Sequence, residues 1–201
     1  MKTHFLLFLS FAAVFSGCKT YDSRIASRET EYLDGRVSVA KPLNVKNDGY
    51  DPVSYWDGDG VSGSPSIKIF LGEQRAYFYK SDKLVGVSQI SSGREGFITP
   101  TGNYKIIQKS KDHISNLYGD YVDAGGNVVK TNASSRDPKP PGSKFRGAPM
   151  PYFMRIVGGV GMHAGFLPGY AASHGCIRMP EFMAETFFAN VQHGTPVQLL
   201  R

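Results

Sequence analysis

The sequence predicts a mostly β fold built from antiparallel hairpins, and three observations predict it. From residue 66 onward, apolar residues alternate with polar ones in short runs, which is the period of a half-buried strand. Turn signals rich in Gly, Ser and Pro recur between these runs. Only one stretch, near the C-terminus, has the composition and length of a helix. Alternating βα units are therefore excluded, and 201 residues favour one domain with appendages.

The predicted elements follow one another closely along the chain. Apolar residues recur with period two at Ile67, Ile69 and Leu71, which indicates the first strand. The further predicted strands are Arg75 to Tyr79, Leu84 to Ser88, Tyr104 to Ile107 and Pro196 to Leu200, and the turns between elements are Ser91-Ser92-Gly93, Thr99-Pro100-Thr101-Gly102 and Gly125-Gly126. A helix is predicted from Glu181 to Val191, because its apolar and polar residues mix at helical spacing and Pro180 stands at its start.

The stretch from Lys130 to Pro149 has no hydrophobic period and carries several prolines and five basic residues. Such a stretch predicts a long basic loop. Loops of this length inside a compact domain are usually functional, so we expect a lid next to the segment that follows.

The N-terminus predicts export and a lipid anchor. The apolar run from Phe5 to Phe15 spans eleven residues, too few to cross a bilayer but typical of a secretory signal core. Ser16-Gly17-Cys18 then resembles the lipobox of bacterial lipoproteins, with Phe15 where that pattern usually has Leu. The resemblance implies a signal peptide over 1-17 and a lipidated Cys18. The alternative is an ordinary cleaved signal with an incidental cysteine.

Residues 18-65 are interpreted as a lipidated tether and N-terminal extension before a main domain at 66-201. The extension is polar and turn-rich, and its aromatic cluster around Trp56 is expected to dock on the main domain. Residue 19, directly after Cys18, is Lys and not the aspartate that is associated with inner-membrane retention. The expected location is therefore the periplasmic face of the outer membrane rather than the inner one.

The net charge limits the classes of binding partner that we expect, and the cysteine count bears on the state of Cys176. A formal net charge of +6 fits anionic partners such as membrane surface or cell-wall polymer, whereas export excludes nucleic acid. The chain has two cysteines, and a lipidated Cys18 leaves Cys176 without a disulfide partner. A lone thiol in an oxidising compartment therefore suggests that Cys176 has a chemical role.

The residues between Met150 and Pro180 indicate what this chemical role of Cys176 is. A cysteine nucleophile needs a nearby base, and histidine is the usual partner. His163 lies 13 residues before Cys176, while His174 lies two residues before it and shares its face if the segment is extended. Spacing alone leaves both histidines open as the base.

The run Ser173-His174-Gly175-Cys176-Ile177-Arg178, with His163 upstream, resembles the signature of the L,D-transpeptidase (YkuD-domain) family. The likeness extends to the strand at Ile67, the Ser-Gly and Thr-Pro-Thr-Gly turns and the Met150-Pro151-Tyr152 lead-in, so it covers roughly residues 66 to 200. It implies a β-sandwich-like catalytic fold with one or two short helices, and makes 66-201 the catalytic domain.

The resemblance also implies roles for individual residues. His163 is the expected general base, Cys176 the nucleophile that forms an acyl-enzyme, and the carbonyl of Ala164 the group that orients His163. Backbone amides around Gly175 and Cys176 are expected to face the oxyanion. The expected supporting residues are Ser173 and His174, and the expected substrate-binding residues are Arg178 and Tyr152.

The implied reaction breaks the L,D bond of a peptidoglycan tetrapeptide stem, releases the terminal D-alanine and transfers the acyl group to an amine, without cofactor or metal. Two departures stand out: Ser173 follows His163 by only ten positions, and Arg178 stands where many members have Asn. The first concerns loop geometry and the second concerns how the substrate is anchored.

Three alternatives stay open. An L,D-carboxypeptidase would pass the same acyl-enzyme to water, because the acceptor depends on cleft access. A zinc-dependent wall peptidase would use His163, His174 and Cys176 as ligands, although no carboxylate lies between His163 and Arg178. A wall-binding lipoprotein would keep the fold without turnover.

Overall fold

The computed structural model of the chain describes residues 29–31, 37–39 and 54–201. The predicted signal peptide and Cys18 lie outside the described residues. Within the described part, no helix has the length and apolar character needed to cross a membrane.

Two β-sheets and one helix form the described domain, which confirms the mostly β prediction. The first sheet has the order β3-β6-β5-β4-β13-β7, with β3 at Tyr55–Trp56, β4 at Pro65–Phe70, β5 at Arg75–Lys80, β6 at Lys83–Gln89, β7 at Gly102–Lys105 and β13 at Pro196–Leu200. The second has the order β12-β11-β10-β8-β9, with β8 at Gln108–Val122, β9 at Val128–Ser134, β10 at Lys144–Val157, β11 at Val160–Ala164 and β12 at Ile177–Met179. Outside these sheets, β1 (Glu29–Glu31) and β2 (Val37–Val39) form an antiparallel pair.

One hydrophobic core joins both sheets and the helix α1 (Glu181–Asn190). It takes Ile67 and Ile69 from β4, Met162 from β11 and Phe187 from α1, each almost fully buried. In β4 buried residues alternate with more exposed ones, as period-two patterning requires, whereas in β11 His163 is buried as well as its neighbours Met162 and Ala164.

Several predicted elements are confirmed almost to the residue. The helix predicted from Glu181 to Val191 occupies Glu181–Asn190, and the closing strand occupies Pro196–Leu200. Most pairs are antiparallel, but β13 pairs with β4 in parallel and β11 pairs with β12 in parallel. The first sheet also begins earlier than residue 66, because Trp56 of β3 is 5% exposed and packs edge-on against Phe78.

The prediction of a long loop from Lys130 to Pro149 is wrong. Most of this stretch lies in β9 and β10, and only residues 135–143 connect them. Pro149 follows a register shift after Gly147, where the ladder is irregular. At Gly147 an added Cβ would lie 1.9 Å from the carbonyl oxygen of Ser115, so β8 and β10 approach more closely than a side chain would allow. These pairings join residues far apart in sequence, which a local pattern does not reveal.

Candidate active site

The parallel pair of β11 and β12 places the candidate residues on one sheet face. The register aligns Met162 with Ile177 and His163 with Arg178, and Met162 and Ile177 are in the core. Because successive side chains point to opposite faces, His163 and Arg178 point away from the core. Cys176 directly precedes β12, and the charge of Arg178 acts on the pKa of both Cys176 and His163. The fold thus brings together three of the residues that the sequence singled out.

His163 is held in a form that can accept a proton. It is 6% exposed, and its Nδ1 lies 2.8 Å from the carbonyl oxygen of Ala164. A carbonyl only accepts hydrogen bonds, so Nδ1 carries the ring proton and Nε2 keeps a free lone pair. Burial lowers the pKa of His163 to about 4, against a raising contribution from the Ala164 hydrogen bond, and Arg178 and His113 lower it further. The imidazole is therefore neutral at neutral pH.

Cys176 is a thiol in the resting site. Burial raises the pKa of Cys176, while the backbone N–H of Gly161 and the charges of Arg155 and Arg178 lower it. The thiol Sγ lies 3.5 Å from the carbonyl oxygen of Gly159, to which it donates. A raised thiol pKa and a lowered imidazole pKa both favour the neutral forms of Cys176 and His163 in the resting site.

His174 is held differently from His163. Nη2 of Arg94 lies 2.9 Å from its Nε2. A guanidinium only donates, so Nε2 accepts, and the proton of the neutral ring is on Nδ1. The ring is stacked on Tyr118 with centroids 4.3 Å apart and meets the edge of Phe97 at 4.7 Å. Burial first, then Arg94 and Arg178, lower the pKa of His174. No lone pair of this ring is free to take the thiol proton.

Ser173 shapes the turn that carries the nucleophile. Its hydroxyl accepts a hydrogen bond from the N–H of Gly175 at 3.0 Å and donates to the carbonyl of Cys176 at 2.5 Å. Gly175 has φ of +108°, a conformation that other residues rarely adopt. Since its N–H is already bonded to Ser173, the expectation that this amide faces the oxyanion is corrected. The N–H of Cys176 has no acceptor among the residues that the structure describes, which leaves it available.

The two turns that the sequence showed only as turn signals support the same loop. The hydroxyl of Thr99, 2% exposed, accepts from the N–H of Gly93 at 2.9 Å and donates to the carbonyl of Gly175 at 2.8 Å. An added Cβ on Gly93 would lie 1.9 Å from the Phe97 carbonyl oxygen and 3.0 Å from the Gly175 Cα. The close approach of these backbones therefore requires glycine at residue 93.

Comparison with known protein families matches residues 64–199 to the YkuD family, the L,D-transpeptidase catalytic domain. The match covers well over half of the chain. The chain belongs to this family.

Solved structures of L,D-transpeptidases share the fold. The enzyme from Mycobacterium smegmatis is 16% identical with a TM-score of 0.52, over 69% of this chain and 59% of that one. The enzyme from Xylanimonas cellulosilytica is 20% identical with a TM-score of 0.51, over 70% and 62%. The Ldtfm–avibactam carbamoyl enzyme is 26% identical with a TM-score of 0.51, over 69% and 49%. This chain thus spans about half to three fifths of their lengths. No curated protein matches it in sequence.

Three arginines lie around Cys176 and His174 of this L,D-transpeptidase domain. Arg178 forms no ion pair with any carboxylate in the described part of the chain. Arg155 bonds only neutral groups, with Nε 2.6 Å from Oε1 of Gln108 and Nη1 2.7 Å from the Gly158 carbonyl. Arg94 bonds His174. Arg94 and Arg155 could not be singled out from the sequence, because nothing in the local pattern separates them from other arginines. Together they make the site electropositive.

Tyr152 is not where its predicted substrate-binding role requires it. Its hydroxyl donates to Oε1 of Glu185 at 2.9 Å, and its ring lies 5.9 Å from Phe188, so its contacts are with α1. Its φ of +56° breaks the alternation of β10. The next residue, Phe153, faces the site instead, with its ring centroid 6.4 Å from that of His163. We correct the prediction accordingly.

The zinc alternative has no ligand set in the part of the chain that the structure describes. No three His, Cys, Asp or Glu side chains there converge on a point where a metal ion could bind. His174, one of the three residues that this alternative needs, has its Nε2 bonded to Arg94.

Proposed function

We propose that the protein is a peptidoglycan L,D-transpeptidase that forms an acyl-enzyme on Cys176 and passes the acyl group to an amine. The observation that carries the proposal is the tautomer of His163: the Ala164 carbonyl accepts from Nδ1–H, so Nε2 is free, and Arg178 lies close enough to both His163 and Cys176 to act on their pKa values. A related structure supports it, since Ldtfm is recorded as a carbamoyl enzyme with avibactam.

In the proposed first half-reaction, Nε2 of His163 takes the thiol proton while Sγ of Cys176 attacks the carbonyl carbon before the terminal D-alanine. The oxyanion that forms accepts a hydrogen bond from the N–H of Cys176. The imidazolium then gives its proton to the departing nitrogen, the C–N bond breaks and D-alanine leaves. A thioester on Cys176 remains, and the imidazole is neutral again.

In the second half-reaction an amine, such as the side chain of a diaminopimelate residue on another stem, attacks the thioester carbon. His163 accepts a proton from the attacking nitrogen and returns it to the leaving sulfur, so the thiol is restored. A water molecule in place of the amine would give hydrolysis. The amine is the proposed acceptor, and hydrolysis is an outcome that the experiment below distinguishes.

Arg178 is proposed to bind a carboxylate of the stem. It is a partly buried charge without an acidic partner among the described residues, and such a charge is costly unless an anion compensates it. Arg155 adds positive charge on the same side, since both lower the pKa of Cys176. A stem with free carboxylates supplies the anion and can form charge-assisted hydrogen bonds.

Intact-protein mass spectrometry tests the proposal on the full chain in detergent with excess chelator. Incubation with a tetrapeptide stem should add the mass of the stem without D-alanine, and avibactam should add a carbamoyl adduct. Neither adduct should form on Cys176→Ala. Absence of both adducts and of D-alanine release would favour the wall-binding lipoprotein, and adducts lost only with chelator would favour zinc chemistry. With an added amine, a cross-linked product supports transfer, whereas shortened stem alone indicates a carboxypeptidase.

We also propose that Cys18 anchors the protein by lipid at the periplasmic face of the outer membrane, which rests on the Ser16-Gly17-Cys18 pattern and on Lys19. Cys18→Ala should move the protein from the membrane to the soluble fraction after a high-salt wash. Salt removes electrostatic attachment but leaves acyl anchoring. A variant that stays membrane-bound after the wash would contradict the anchor.

A further inference from the structure

We propose that Arg94 is a positioning residue of this site: it holds His174 as the Nδ1-protonated neutral tautomer and so leaves proton abstraction from Cys176 to His163 alone. The inference rests on the proposed function for the role of Cys176, but it concerns a residue and a state of His174 that the proposed function does not assign. The state of His174 can be measured without turnover.

Arg94 contacts the signature turn through both its main chain and its side chain. Its backbone N–H donates to the carbonyl of Ser173 at 3.1 Å, and its Nη2 donates to Nε2 of His174 at 2.9 Å. The guanidinium also lies over the ring of Phe97, 4.4 Å from the centroid. Phe97 in turn meets the edge of His174. The side chain of Arg94 is therefore fixed by stacking and by one hydrogen bond, and its backbone by a second, as orientation of a partner ring requires.

The tautomer follows from the chemistry of the donor. Arginine stays protonated at any accessible pH and has no acceptor, so a ring nitrogen bonded to it must provide a lone pair. His174 can therefore carry its single proton only on Nδ1. The alternative tautomer would point two N–H donors at each other and would lose the hydrogen bond.

The charges that face His174 favour the same neutral state. Arg94 faces it from the 91–99 segment and Arg178 from β12, while Tyr118 of β8 stacks on the ring without charge. Among the described groups, no carboxylate acts on this ring to favour a proton. Burial and the two positive charges keep the pKa of His174 below that of an ordinary histidine. Protonation would also break the bond to Arg94.

Removal of Arg94 should therefore release a second base next to the nucleophile. Nε2 of His174 would have a free lone pair, and the ring would lose one of its two positive neighbours. His174 lies two residues from Cys176, so its titration would then appear in the reactivity of the thiol. With Arg94 present, His163 should be the only one of the two histidines whose titration influences that reactivity.

The test compares the full chain, labelled with ¹⁵N at histidine in detergent, with Arg94→Met, Arg94→Lys and the control Arg136→Met, which removes an exposed arginine far along the chain. Arg94→Met should shift the ring nitrogens of His174 away from the Nδ1–H pattern and make the ring titrate at a higher pH than in wild type, because one of the causes that lower its pKa is removed. Arg94→Lys should restore much of the wild-type pattern, because a lysine ammonium also only donates. The control should match wild type.

The second readout is the pH dependence of Cys176 alkylation by iodoacetamide, which requires no peptide substrate. Arg94→Met should add an inflection near the new titration of His174 and slow acylation by avibactam about tenfold, the size expected for loss of a charge-assisted hydrogen bond. Arg94→Lys should recover most of the rate. If Arg94→Met and Arg94→Lys melt at the same temperature, a purely structural role of Arg94 would not predict this difference in rate between them.

The inference is overturned if wild-type His174 carries its proton on Nε2, or if Arg94→Met and Arg94→Lys leave its ring signals unchanged. If Arg94→Met does not fold, Arg94→Lys and the wild-type tautomer still decide. A wild-type Nδ1–H signal combined with no acylation by any ligand would leave Arg94 as the positioning residue and remove the proposed function instead.

Discussion

The signature turn at residues 173–179 and the strands at residues 128–157 lie in the same sheet, yet they relate to their sequences in opposite ways. The turn is determined locally: Ser173 bonds Gly175 and Cys176, two and three residues away. The strands form through β8, for example where Lys144 pairs with Val122 and Phe153 with Ser110. A pattern of a few residues therefore predicts the turn, whereas the strands depend on partners that no local pattern names.

The largest expected effect comes from removing the proposed general base, His163. His163→Gln should slow Cys176 acylation by about 100-fold or more, since a positioned general base contributes about that much. His174→Gln should slow it far less, because His174 has no free lone pair to accept the proton. Stopped-flow or timed mass spectrometry with avibactam measures both rates. Wild-type acylation in His163→Gln together with loss in His174→Gln would reverse the assignment.

Glycine substitutions compare the two regions directly. Gly93→Ala and Gly147→Ala should each lower the free energy of unfolding by about 2 to 3 kcal/mol, because each new Cβ would clash with a backbone oxygen 1.9 Å away. Gly93→Ala should also impair acylation, since Gly93 lies against Gly175, whereas Gly147→Ala should leave the acylation rate of the folded fraction near wild type. Urea denaturation and acylation assays supply the two measurements.

Gly159→Ala is the matched control for these variants, because an added Cβ there meets nothing within 4 Å. Its stability should stay within about 0.5 kcal/mol of wild type. Equal loss of stability in all three variants would mean that steric clash is not the cause.

Lowering the pH should also affect the stability contribution of His163 differently from that of the carboxylates near β9. The folded pKa of His163, about 4, lies below its ordinary value of 6.5, so this residue's contribution to stability is complete above 6.5 and is lost as pH falls towards 4. The loss amounts to roughly 3 kcal/mol. In the β9 region, hydrogen bonds from Asn127 and Lys130 lower the pKa values of Asp123 and Asp137, so their contribution is lost only below the ordinary carboxyl range.

Chemical denaturation between about pH 4 and about pH 7 checks this prediction. The wild type should lose stability across that range, and His163→Gln should lose much less of it. Equal pH dependence in both proteins would mean that His163 is not buried as a neutral ring.

The smallest expected effect concerns the segment that the sequence presented as a lid. The combined change of Arg136, Lys139 and Lys144 to Gln should leave acylation by a stem peptide within about twofold, and the unfolding free energy within about 0.5 kcal/mol. All three side chains are exposed and belong to strands or a short connection rather than to a long loop. A large fall in acylation with unchanged stability would restore a direct role for this basic surface.

Much of the fold and the order of the site residues could be predicted from the sequence because their signals are short-range. Alternating apolar residues determined the first strands, Pro180 marked the start of α1, and the run from Ser173 to Arg178 located the nucleophile. These features depend on contacts within one turn or one strand. A short window of the sequence therefore contains the complete signal for each of them.

Only the tertiary structure shows which histidine has a free lone pair and which residues contact its ring. The partner of His174 is Arg94, 80 residues earlier, and the partner of the Gly175 carbonyl is Thr99, 76 residues earlier. The protonation state of a ring depends on the atoms that its nitrogens meet, and those atoms come from distant segments. The same reason explains why Tyr152 turned towards α1 while Phe153 took the place beside His163.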